Sequence, residues 1–97
     1  MIRRDGERML VSGPLTLASV TAVLREGSAA IAQGARTVDL SGVDELDSSA
    51  LALLLAWLRE AKRLNRDLSF TDLPRGLTTI ARLYGVAELL PASPAHH

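Results

Sequence analysis

The stretch TVDLSGVDELDSSALALLLAWL, residues 37–58, runs from a strand-like segment through a polar bend into a leucine-packed helix. Val38 and Leu40 point one way and Thr37, Asp39 and Ser41 the other, the period of two that marks a half-buried strand. Beyond the bend the spacing predicts a helix over Ser49 to Leu64. At 100° per residue Leu51, Leu54, Leu55, Leu58 and Ala61 form its core stripe.

The same alternation of element types extends in both directions. Upstream, Met9 to Ser12 reads as a short strand broken by Gly13-Pro14, and Thr16 can cap a helix whose Leu17, Val20, Leu24 and Ile31 share a face. Gly27 weakens that helix by about 1 kcal/mol relative to Ala and is a point where it could split. Gly34 is a natural stop. Downstream, Leu68 to Thr71 supplies another strand, and Pro74 opens a short helix with Leu77, Ile80, Ala81 and Tyr84 on one stripe, closed by Gly85. Val86, Leu89 and Leu90 form a last apolar anchor. Strands alternating with helices imply crossover connections, hence an α/β domain with a small, mostly parallel mixed sheet of about four strands, its helices mainly on one face. The expected domain covers residues 1–91. The remaining 92–97 are expected to be disordered, with His96 and His97 either native or the remnant of a tag.

Composition narrows the function classes. The 97 residues suffice for one modest core, built from Leu, Val, Ile and Ala because aromatics are only 3% of the chain. Eleven basic residues balance eleven acidic ones, so nothing favours a nucleic-acid partner. The absence of cysteine removes disulfides, thiolate nucleophiles and sulfur metal sites, and fits a cytoplasmic location. The N-terminus lacks the apolar segment of a secretory signal. The apolar run Ala50 to Leu58 is about half of the roughly 20 residues a membrane span needs, so direct membrane insertion is not expected.

Enzyme constellations are missing. No phosphate-binding glycine loop, dinucleotide fingerprint or zinc-protease motif is present, and the only histidines are the terminal pair, so neither Ser48 nor Ser49 has an ordered imidazole to activate it. No catalytic residue, cofactor or metal site is assigned. The carboxylates of DELD, residues 44–47, could gather a divalent cation, or they could sit before a helix because its N-terminus attracts negative charge and accepts caps. Asp47 or Ser48 is a good N-cap, and one cap is enough. Of the two serines, one is read as a cap and the other as standing at the lip of a protein-docking surface. Leu53, Trp57 and Leu64 lie on a second line to the side of the core stripe. Either a neighbouring helix of the same domain covers them, or they form a partner surface with Trp57 as anchor, through which isolated copies could also dimerise. Arg59, Lys62, Arg63 and Arg66 read as a solvated basic edge suited to a helix C-terminus.

Residues 37–91 resemble the diagnostic part of a STAS domain. Asp39-Leu40-Ser41 stands where that family has a strand ending D-L-S, Asp47-Ser48-Ser49-Ala50 where it has D-[ST]-[SG]-G at a helix start, and Leu83-Tyr84-Gly85-Val86 where it has L-x-G-[VL]. The departure is Ala50, where Gly is usual, which puts in doubt any backbone approach that needs no side chain there. The resemblance implies a non-enzymatic STAS fold with one of two roles. The nearer branch is the small Mla-type B subunit, a cytoplasmic accessory protein that binds the ATPase of a phospholipid ABC transporter at the inner face of the inner membrane, contributing to outer-membrane lipid asymmetry. By that likeness Asp47, Ser48, Ser49 and the exposed side of the following helix would be partner-binding, and with the second apolar line read as that side, Leu53 and Trp57 join them. The other branch is the anti-sigma-factor antagonist, in which the residue matching Ser48 is phosphorylated by a partner anti-sigma factor kinase.

Overall fold

The computed structural model describes residues 1–90; the final residue of the expected domain and the expected disordered tail, with His96 and His97, lie outside them. The chain runs β1 (Ile2–Asp5), β2 (Arg8–Leu15), α1 (Val20–Ala32), β3 (Thr37–Leu46), α2 (Ser48–Arg63), β4 (Ser69–Thr71) and α3 (Arg75–Leu83), then a single 3₁₀ turn at Ala87–Leu89. The strands form one sheet in the order β1-β2-β3-β4, with β1 antiparallel to β2 and the other pairs parallel. This is the mixed α/β sheet that the alternation of elements implies.

Strand β1 is an addition to the sequence reading. Its exposed pattern hides it, since only Ile2 is even half-buried. The signal that could have revealed it is Asp5-Gly6: Asp5 pairs with Arg8 across a two-residue loop in which Gly6 adopts φ 65°, a conformation that favours glycine.

Cross-strand rows set the two faces of the sheet. Met9, Val38 and Phe70 lie side by side on β2, β3 and β4 and are fully buried. Neighbouring rows on the opposite face carry Arg8, Thr37 and Ser69, and Leu10, Asp39 and Thr71. Arg8 pairs with Asp39 there, and Asp39 Oδ1 also accepts the Ser41 N–H at 2.9 Å. The buried carboxylate is thus doubly compensated, as burial of a charge requires.

Helix α1 starts later than expected. Ser19, not Thr16, precedes its first residue; the Ser19 hydroxyl accepts the Thr16 N–H at 3.0 Å and donates to Pro14 O at 2.8 Å, so the connection from β2 is a tied loop. Leu17 therefore lies outside the helix and is 77% exposed, whereas the buried face is Val23, Gly27, Ala30 and Ile31. Gly27 does not split the helix, because it is the seat of a neighbour. The Trp57 indole occupies the space that a Cβ at Gly27 would fill, and its Nε1–H donates to Leu24 O at 3.3 Å.

That contact corrects the reading of Leu53 and Trp57 as partner-binding. Both are essentially inaccessible, at 2% and 0% exposure, with α1 covering the line they form. A helix stripped to hydrogen at one position accepts the largest side chain of its neighbour, and the second apolar line of α2 becomes core. Leu53 and Trp57 thus present no exposed surface for a contact between copies, whereas Leu64 stays half-buried. Tyr84, expected on the buried stripe of α3, is instead exposed, as is Leu89; Leu77, Ala81 and Leu90 are buried.

Candidate functional site

Parallel strands β2 and β3 end together, with Leu15 opposite Leu46, so the β2–α1 loop and the start of α2 meet at one end of the sheet. Asp47 joins them. Its Oδ1 accepts the Ser49 N–H at 2.8 Å, the cap of α2, and its Oδ2 accepts the Leu17 N–H at 3.0 Å; its own N–H donates to Leu15 O at 3.2 Å. Asp is suited to this because a carboxylate has two oxygens, each able to accept a backbone donor, where a serine hydroxyl has one. The Leu17 N–H, the Ser49 N–H and the Ser49 hydroxyl together hold the Asp47 carboxyl below the usual carboxylate range.

With Asp47 as the cap, neither serine is needed for that task, which corrects the assignment of one of them as a cap. Ser49 is half-buried. Ser48 is exposed, and its hydroxyl engages no partner among the described residues. Asp44 and Glu45 are exposed beside it and form no ion pair among the described residues. The DELD carboxylates do not converge: no group of three or more potential metal ligands occurs among the described residues. Ala50 is fully buried, so its methyl group is packed into the core.

The far end of α2 has a different character. Arg63 pairs with Glu60 at 2.7 Å, and Arg66 reaches Ile31 O at 2.6 Å, capping a carbonyl near the end of α1. A groove of about 510 Å³ lined by Leu58, Lys62, Asn65, Arg66 and Leu68 opens there, at the end remote from Ser48. No helix among the described residues is long and apolar enough to cross a membrane.

These features define a small α/β domain that presents a loop and a helix start, with the exposed Ser48 hydroxyl directly after the acidic segment 44–47. The family model described as "Mlab, STAS domain" matches residues 1–91, and the chain belongs to that STAS family. Members of this family are generally binding and regulatory proteins rather than enzymes. Solved structures share the fold. An anti-sigma factor antagonist from Mycobacterium paratuberculosis is 19% identical with a TM-score of 0.75, the match covering 98% of this chain and 84% of that one. An anti-sigma-factor antagonist (STAS) domain protein from Planctomyces limnophilus is 20% identical with a TM-score of 0.71, covering 95% and 86%. The Bacillus cell fate determinant SpoIIAA in its phosphorylated form is 18% identical with a TM-score of 0.67, covering 98% and 91%. No curated protein matches the chain by sequence.

Proposed function

We propose that this chain is a non-enzymatic, cytoplasmic regulatory or assembly subunit that docks through its Ser48 end onto the ATPase of an Mla-type ABC transporter, at the inner face of the inner membrane. ATP hydrolysis and phospholipid handling, and with them outer-membrane lipid asymmetry, belong to the other chains. The observation that carries this reading is the family match over residues 1–91, whose description is Mlab. The geometry supports it: the lip at Asp47, Ser48 and Ser49 is tied down by backbone hydrogen bonds, so little order is lost when a partner binds. Tagged purification from the native host followed by mass spectrometry tests it. An ABC ATPase and permease should co-purify; recovery of a sigma-factor kinase alone would overturn it.

A second reading, an anti-sigma-factor antagonist phosphorylated on Ser48 by a partner kinase, draws on the fold shared with proteins of that description and on the unengaged, exposed Ser48 hydroxyl. A phosphoryl group there would add roughly −1.5 to −2 charges beside Asp44 and Asp47. That reading predicts a phosphorylated Ser48 by intact mass and loss of partner binding in Ser48→Asp. Normal binding by both Ser48→Asp and Ser48→Ala would exclude the switch and leave simple docking.

A further inference from the structure

A single exposed leucine is ordinary on a protein surface. Leu17 differs from the others in how it is held. Its backbone N–H is bonded to Asp47 Oδ2, and the loop that carries it is closed by the Ser19 hydroxyl bridging the Thr16 N–H and Pro14 O. The backbone that carries this side chain, which is 77% exposed, is thereby fixed beside the start of α2. Ordering a loop is part of what binding ordinarily costs, and here the hydrogen bonds have already ordered it.

The surroundings indicate what would cover Leu17. Asp47 accepts its N–H, and Asp44 and Glu45, on the same end of β3, are exposed with no ion pair among the described residues, while Arg59, Lys62, Arg63 and Arg66 lie toward the other end of α2 together with Glu60 and Asp67. An acidic rim repels nucleic acid and anionic lipid and favours a protein face bearing Lys or Arg.

We propose that Leu17 is the apolar anchor of the docking surface that includes Ser48, and that its occupant is a different protein offering an apolar socket rimmed by basic side chains. The inference rests on the docking reading above for the use of this end of the molecule, but not on the identity of the partner. Leu17 makes no core contact, so its role in binding separates cleanly from folding.

The test places the photocrosslinker p-benzoylphenylalanine at position 17, at Asp44 on the same lip, or at Arg63 on the opposite end, in the full chain in its native host. Position 17 should give an adduct with one other protein, and position 63 should not. With that protein purified, Leu17→Ala should weaken binding about tenfold or more, as expected for an apolar side chain buried on association. Its denaturant midpoint should be unchanged, and Asp44→Asn with Glu45→Gln should flatten the salt dependence of association. An adduct at 44 but none at 17, or unchanged affinity of Leu17→Ala, would overturn the anchor and leave the docking reading standing. An adduct at 17 with a protein that is neither an ABC ATPase nor a kinase, and whose affinity for the purified chain falls in Leu17→Ala, would support the anchor and overturn the proposed partners. Adducts at neither lip position, or only with a second copy of this chain, would overturn both.

Discussion

At the scale of single residues, Asp47 does the work that two serines were available to do. Removing its carboxylate frees the Ser49 and Leu17 N–H groups together. Asp47→Ala should therefore lower stability by about 1 kcal/mol, the usual range for a lost N-cap. Ser48→Ala should fall within about 0.5 kcal/mol of the parent, as for a surface change that removes no cap. Urea unfolding of the two variants distinguishes them. A larger loss in Ser48→Ala than in Asp47→Ala would show that the cap is misassigned. The sequence narrowed the cap to adjacent candidates, because Asp and Ser are both favoured there. Choosing between them required the second acceptor position of Asp47, which faces a loop thirty residues away in the chain.

Among the elements, the decisive contact is α1 against α2. Gly27→Ala improves helix propensity by about 1 kcal/mol in isolation. Here the added methyl group would occupy the position of the Trp57 ring, and overpacking of this kind typically costs about 1–3 kcal/mol. The net effect should be destabilisation, read as a lower thermal midpoint; a higher one would mean that the two helices separate readily. Trp57 reports on the same packing. Fully buried, it should emit at short wavelength and resist quenching by acrylamide, and binding of a partner should leave that protection unchanged. Strong quenching in the free protein would return Trp57 to the surface. From the sequence the apolar excess of α2 is plain, but its destination is not. The glycine that receives it lies in another helix and carries no apolar signal of its own.

Over the whole molecule, carboxylates fasten segments that are distant in sequence. Asp39 ties β3 to Arg8 on β2; burial opposes its charge, but the Ser41 N–H, the Ser41 hydroxyl and Arg8 outweigh this and hold its carboxyl below the usual range. Asp47 is depressed by the Leu17 and Ser49 donors. A carboxyl with a lowered folded-state pKa binds fewer protons in the folded than in the unfolded chain. Its stabilisation is complete above the unfolded value, about 4, and is lost as the pH falls through the folded value. Unfolding free energy should therefore be nearly level from about pH 5 to 7 with respect to these groups and decline below about pH 4. Asp39→Asn should make that acid decline shallower. An unchanged acid slope would show that Asp39 is not a coupled group.

The parallel α/β plan, the stripe of α2 and the turn into its first residue were legible in the linear order of residues, because strand and helix periods and capping preferences are local properties. Leu17, Leu53 and Trp57 were not. Period alone put Leu17 inside and left Trp57 between core and surface. The closed Thr16–Ser19 loop moved Leu17 out to solvent, and the missing side chain at Gly27 drew Trp57 in. Local chemistry determined which elements form and where the α2 lip begins; only the close packing of distant segments decided which apolar side chains remain free for a partner.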